Sequence, residues 1–196
     1  MRKVVVDEFM SLDGVSQAPG GPEEDPSGGF RHGGWQLQYE SGTDTPGAWA
    51  VGNIVEAGGF LLGRRTWELF AAYWPNAPEE TRAIAEPLNT KPKYVASRTL
   101  GEPLGWENST LLQGELENAV AALKQDDAGD LHVIGSTELV RGLLERDLVD
   151  ELRLVIYPIS LGGGKRIFPD DGARRDWSFV DSEASGGVIV ATYARR

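Results

Sequence analysis

A chain of 196 residues, 40% hydrophobic and 25% charged, is long enough to bury one core without staples, and its lack of cysteine excludes disulfides, thiolate metal sites and a cysteine nucleophile. Its 30 acidic against 19 basic residues give a net charge of −11, which disfavours nucleic acid as a partner and requires any phosphate site to be built from local arginines and backbone N–H groups. No apolar run approaches the roughly 20 residues of a membrane span. Met1-Arg2-Lys3 leads into only three valines before Asp7-Glu8, unlike a secretory leader, so a cytoplasmic protein is expected, with no membrane partner.

Val4-Val5-Val6 with Phe9 and Met10 reads as a buried first strand, and Ser11-Leu12-Asp13-Gly14 as the turn that ends it. Residues 18–34 are rich in Gly, Pro and acids and predict an exposed loop, mobile without ligand. Thr45-Pro46 reads as a helix start, carried by Ala48, Val51, Ile54 and Val55 and stopped at Gly58-Gly59. Phe60-Leu61-Leu62 predicts a short strand, Arg64 to Tyr73 a helix with Trp67, Phe70, Ala71 and Trp74 on one face, and 79–86 a further helix. Strands follow at 94–96 and 131–134, with a helix carrying Leu116, Val120 and Leu123 between them and one carrying Leu139 to Leu144 after them. A strand at 152–157, a Gly-rich turn at 158–168 and a hairpin of strands at about 177–183 and 188–193 complete the chain. The reading is an α/β fold, three-layer α/β/α over one domain spanning 1–196, with a mainly parallel sheet of about eight strands and an antiparallel C-terminal hairpin.

Ligands in such sheets bind outside the carboxyl ends of the strands, which singles out three strand-to-helix junctions. Gly63-Arg64-Arg65-Thr66 offers two guanidinium groups and a hydroxyl at a helix start. Ser97-Arg98-Thr99 offers hydroxyls and a guanidinium complementary to a phosphate monoester. Gly135-Ser136-Thr137-Glu138-Leu139 puts a glycine at a strand end, with Ser136 as N-cap and free N–H groups for a pyrophosphate. Taken singly, each also reads as a capped helix or a solvated turn. Three on one edge of an acidic chain point to a dinucleotide with a 2′-phosphate, NADPH. The G-x-G-x-x-G fingerprint is missing, and Gly162-Gly163-Gly164-Lys165 is followed by neither Ser nor Thr, so it is no Walker loop.

The stretches Ser11-Leu12-Asp13-Gly14, LLGRRTWELF at 61–70, PKYVASRTL at 92–100, HVIGSTELVRGLL at 132–144 and LVDELRLVIYPISLGGGKRIF at 148–168 carry a resemblance. From end to end, the chain resembles the dihydrofolate reductase-like superfamily. It is most similar to the reductase domain of the bacterial bifunctional riboflavin-biosynthesis deaminase/reductase and its stand-alone relatives. The resemblance implies an NADP(H)-binding fold and a reductase of a small heterocyclic or carbonyl substrate, such as 5-amino-6-(5-phosphoribosylamino)uracil. It also implies that Gly63, Arg64 and Thr66 hold the 2′-phosphate and pyrophosphate region, Ser97 and Arg98 lie by the adenosine 2′-phosphate, Gly135 to Leu139 lie by the pyrophosphate, and Asp13-Gly14 lie near the nicotinamide.

The chain departs from that pattern on the substrate side. Dihydrofolate reductases carry a pterin-binding acid on the helix before Gly-Arg; here that place falls at Pro46-Gly47-Ala48, with Asp44 or Glu56 as replacements only in a shifted register. Arg31 and Lys165-Arg166 are the candidates to grip a ribose phosphate. Asp13 is the candidate catalytic group by position, although Asp before Gly is commonly a turn and nothing more. His32 lies in the long loop, His132 in a strand, and the two form no metal set. Trp35, Tyr39 and Trp49 suit either a substrate pocket or the core. A non-catalytic nucleotide-binding or dimeric interaction protein keeping the fold is the rival reading. Exposed terminal strands and Leu148-Val149 point to a homodimer.

Overall fold

The computed structural model describes residues 1–39 and 45–196. In chain order the elements are β1 (Val4–Ser11), α1 (Thr45–Glu56), β2 (Gly59–Gly63), α2 (Arg64–Tyr73), α3 (Arg82–Thr90), β3 (Lys93–Ala96), β4 (Ser109–Leu111), α4 (Leu116–Lys124), β5 (Leu131–Ile134), α5 (Thr137–Glu145), β6 (Glu151–Tyr157), β7 (Trp177–Ser185) and β8 (Val188–Arg195). One sheet takes the strands in the order β4-β3-β2-β5-β1-β6-β8-β7. The first six of these run parallel to their neighbours, and β8 and β7 are antiparallel. This is the expected three-layer arrangement.

The short continuous apolar runs become central strands because helices cover both of their faces. Val4, Val6, Leu61, Leu131 and Val133 pack beneath Val120 of α4 and Val140 and Leu143 of α5. Phe60, Leu62 and Val95 point the other way, against Ile54, Trp67 and Leu88 of α1, α2 and α3. The terminal hairpin turns on Gly186 and Gly187 alone, at φ of 60° and 84°. Two consecutive positive φ values are what a two-residue turn matched to strand twist requires, and glycine supplies them without a steric cost.

Two details differ from the sequence pattern. The helix expected at 79–86 begins at Arg82, after a 3-10 turn at Glu79–Thr81, and runs through Pro87 to Thr90. Lysines compensate at the helix ends. The Lys93 ammonium, fully buried, donates to the carbonyls of Leu88, Asn89 and Lys91 and lies 4.4 Å from the centre of the Trp106 ring, while Lys91 donates to Ile54, Val55 and Ala57 at the end of α1. Burial pushes Lys93 down to about 8. The 18–34 segment is also more fastened than its composition suggests. Trp35 Nε1 donates to the Gln17 carbonyl at 2.8 Å, Gly34 N to Ala18 O at 2.8 Å, and the Glu24 carboxylate accepts from Gly20 and Gly21 N–H. Asp44 and the Thr45 side chain, read above as a replacement acid and a cap, lie outside the described residues.

A polar network runs through the α1 face of the sheet. Asp7 Oδ2 meets His132 Nδ1 at 2.6 Å, Asp7 Oδ1 accepts from Asn53 Nδ2 of α1 at 2.8 Å, and Arg153 NH1 donates to Asn53 Oδ1 at 2.7 Å. Arg153 also pairs with Glu151 and Glu56. His132 is therefore a core histidine joining β5 to β1, and Glu56 an ion-pair partner at the far end of α1. Burial raises the Asp7 carboxyl above its ordinary value, and the hydrogen bond from His132 opposes that shift. Because Asp7 is the common acceptor, Asp7→Ala leaves two buried polar groups unpaired and should lower stability by about 3–5 kcal/mol. A urea denaturation midpoint unchanged from wild type would show that the network contributes nothing.

Candidate functional site

Parallel strands bring their carboxyl ends to one edge, and the order β3-β2-β5-β1-β6 sets the three anion-competent junctions side by side with the turns after β1 and β6. Gly63 ends β2 and stands at the N-terminus of the ten-residue α2; Ser136 stands at that of the nine-residue α5. Neither helix has a side-chain cap. Ser136 occupies the N-cap position but does not cap: its hydroxyl meets Thr66 Oγ1 at 2.7 Å, across the gap between the helices. The leading N–H groups of both helices are left for an anion, with two positive dipole ends beside each other.

Gly63 makes that approach possible. A Cβ at this position would lie 2.3 Å from Ser136 Oγ and 2.9 Å from its Cβ, closer than any real contact. The glycine anticipated from chain position is thus required by the neighbouring junction. Gly135, at φ 57°, leads into a cis Gly135–Ser136 peptide bond. Thr137 Oγ1 lies 3.3 Å from Ser16 Oγ, which ties the start of the long loop to α5.

The charged residues are less uniform than their sequence positions suggest. Arg64 pairs within its own helix with Glu68 at 3.4 Å. Arg65 turns to the loop, donating to Asp25 Oδ1 at 2.7 Å and Ser27 Oγ at 3.2 Å. Lys165 reaches Asp25 Oδ2 at 2.7 Å and Glu138 Oε1 at 3.1 Å. Asp25 therefore bridges the helix junction and the Gly-rich turn; its carboxyl is held below its ordinary value, the Lys165 and Ser27 hydrogen bonds outweighing burial. After β3, Ser97 Oγ accepts from the N–H groups of Thr99 and Leu100 at 3.1 Å each, shaping the turn, and Arg98 is exposed. Arg31 and His32 are exposed on the loop.

Asp13 is engaged at both carboxylate oxygens and at its backbone carbonyl. Oδ1 accepts from Ser11 Oγ at 2.7 Å and Leu161 N at 3.0 Å, Oδ2 accepts from Gly162 N at 2.9 Å, and Arg166 donates from Nε to the Asp13 carbonyl. The Ser11 hydroxyl, followed by the Leu161 N–H, pulls its carboxyl down to about 2. An anion so engaged staples the first turn to the Gly-rich turn and has no proton to give near neutrality. Phe9, Trp35, Tyr39 and Trp49 gather around Tyr157: the Tyr157 ring centre lies 5.9 Å from Phe9, 5.4 Å from Trp35 and 5.5 Å from Tyr39, and Phe9 lies 6.3 Å from Trp49. Tyr157 and Trp35 are core, whereas Phe9, Tyr39 and Trp49 are partly exposed at the site edge.

Asp7 and Glu8 stand out only in the structure. In the sequence they read as the polar end of an apolar run; the fold buries both, at 7% and 5% exposure. Two charged residues inside a strand of a cysteine-free, parallel-sheet protein are the signal that could have found them.

Two outcomes test this geometry. Gly63→Ala should separate the two helix N-termini and cost about 1–3 kcal/mol of stability, seen as a lowered Tm; an unchanged Tm would show that Ser136 moves aside freely. Asp13 titrates lower in the folded than in the unfolded chain, so its contribution is present above about pH 4 and lost as pH falls toward about 2. Asp13→Asn should flatten the pH dependence of unfolding in that window, and an acid-unfolding curve parallel to wild type would contradict the assignment.

Residues 2–191 match the family described as the RibD C-terminal domain. YyaP of Bacillus subtilis strain 168 is 27% identical over 200 residues, covering 98% of this chain and 94% of that protein; YwjB of the same organism is 23% identical over 69% of this chain and 72% of its own length. A crystal structure from Shewanella sp. PV-4, of a protein named for riboflavin biosynthesis, superposes with a TM-score of 0.71 at 23% identity, covering 100% of this chain and 99% of that one. The pyrimidine reductase-like protein of Corynebacterium diphtheriae gives 0.67 at 14% identity, covering 100% and 92%. These likenesses extend the fold to both, and the match along nearly its whole length makes this chain a member of the RibD C-terminal domain family.

Proposed function

We propose that the protein is an NADPH-dependent reductase of a small heterocyclic or carbonyl substrate, with 5-amino-6-(5-phosphoribosylamino)uracil as the first substrate to try. The observation that carries this reading is the pair of uncapped helix N-termini joined by Thr66 and Ser136, a cradle that a Cβ at Gly63 would fill. In an acidic chain, that arrangement suits a diphosphate. Arg64, Arg65 and Thr66 would take the 2′-phosphate side with Ser97, Arg98 and Thr99 beside them, Gly135 to Leu139 the diphosphate, and Asp13-Gly14 the turn beside the nicotinamide. NADPH supplies a hydride when bound. The chain's part is to bind and orient: the two helix ends hold the anion, and the partly exposed rings of Phe9, Tyr39 and Trp49 offer flat faces to a heterocycle.

The edge strand β7 exposes Phe179 and Val180, which supports a homodimer. No described helix is long and apolar enough to cross a membrane, and a cysteine-free chain suits the reducing cytoplasm, which is the setting we propose. The start of α1, Pro46-Gly47-Ala48, has no acid and favours the rival reading, a nucleotide binder without turnover. Tight NADPH binding with no oxidation alongside any heterocycle is the result that reading expects.

Calorimetric titration decides the first step. Wild type should bind NADPH more tightly than NADH, and Arg64→Ala should weaken NADPH about tenfold or more, the worth of one hydrogen bond to a charged group. Binding of neither nucleotide to wild type would overturn the reductase reading.

A further inference from the structure

Glu8 is a buried acid that the arrangement above does not use. It is 5% exposed, and its Oε2 has no hydrogen-bond partner among the described residues. On β1 it follows Asp7, which is level with Ile134 of β5, so Glu8 stands beside the Gly135 junction. Its side chain shares the strand face of Val4 and Val6, the face covered by α5, whereas Asp7 points to α1. The chain just beyond β1 meets the same helix end through Ser16 and Thr137. A buried carboxyl with an unpartnered oxygen thus stands, by strand face and register, on the side of the sheet and at the strand end where α5 begins.

Resting on the NADPH reading, we propose that Glu8 is a ligand-contacting residue of this site, its buried and unpartnered carboxyl oxygen donating a hydrogen bond to the diphosphate of the bound dinucleotide. An ionised carboxylate there would repel a diphosphate, and the surroundings keep Glu8 in the acid form. Burial raises its pKa well above the usual carboxylate value, and the Glu24 carboxylate of the loop and Asp7 on its own strand push the same way. The other titratable groups around the α5 N-terminus, Glu138, Lys165 and Asp25, are tied to one another. The neutral acid is therefore a hydrogen-bond donor without a partner in the chain, and that donor is lost as pH rises through its raised value.

The test is calorimetric titration of NADPH into wild type, Glu8→Gln and Glu8→Ala between pH 6 and 9, with thermal unfolding to confirm that each variant is folded. Glu8→Gln keeps a neutral donor and should bind within about threefold of wild type at pH 6, while Glu8→Ala should bind about tenfold more weakly. Wild type should lose affinity toward pH 9, and Glu8→Gln should lose much less; because the nucleotide's own 2′-phosphate titrates near about pH 6 in both, the difference between the two profiles belongs to Glu8. Parallel profiles, or an alanine variant as tight as wild type, would overturn the assignment and leave the cofactor reading standing. Wild type that binds no NADPH at any pH removes both.

Discussion

A hydrogen bond of 2.7 Å between the hydroxyls of Thr66 and Ser136 holds two helix N-termini together, and the geometry of the sheet edge depends on it. Each helix brings a partial positive charge that a single protein side chain could neutralise as a cap. Here the residue at the α5 N-cap position spends its hydroxyl on the neighbouring helix. The N-termini of two helices are left without side-chain caps at one place, and such ends favour negative charge. Gly63 is the steric condition for their meeting, because any side chain there would occupy the space of Ser136.

The sheet order makes this meeting possible. The chain runs outward from β1 through β2, β3 and β4 and returns to insert β5 between β2 and β1, so that segments some 70 residues apart end side by side. Layers on both faces then lock the registry: valines and leucines under α4 and α5 on one side, Phe60, Leu62 and Trp67 on the other. The Asp7–His132–Asn53–Arg153 network crosses three strands and one helix with directional bonds, which limits slippage in a way apolar contacts alone do not.

Electrostatics at the edge works against the net charge of the chain. Acidic groups surround the cradle, yet each has a definite partner: Asp13 the backbone of the Gly-rich turn, Asp25 the cations Arg65 and Lys165, Glu68 the Arg64 guanidinium. The exception is Glu8, buried and with one oxygen unpartnered among the described residues. A long loop that composition alone makes a solvated excursion is fastened to the sheet edge because Asp25 joins it to both the α2 junction and the Gly-rich turn.

What the sequence by itself determined was the set of elements and the strand-end junctions. Apolar runs of strand length, helical periodicity around Trp67 and Leu139, the two-glycine hairpin and hydroxyl- or arginine-bearing residues after three strands are all local signals, and local signals survive in one dimension. Pro87 shows where such a signal fails, since a helix packed on the sheet tolerates one lost backbone bond that an isolated helix would not. Only the tertiary structure decided that Ser136 bridges rather than caps, that Asp13 is a saturated anchor, that His132 answers to Asp7, and that Glu8 lies buried beside Gly135. Each of these depends on a partner many positions away in the chain, and the hydrogen bond or desolvation that defines the residue's chemistry exists only once the sheet has brought that partner within reach.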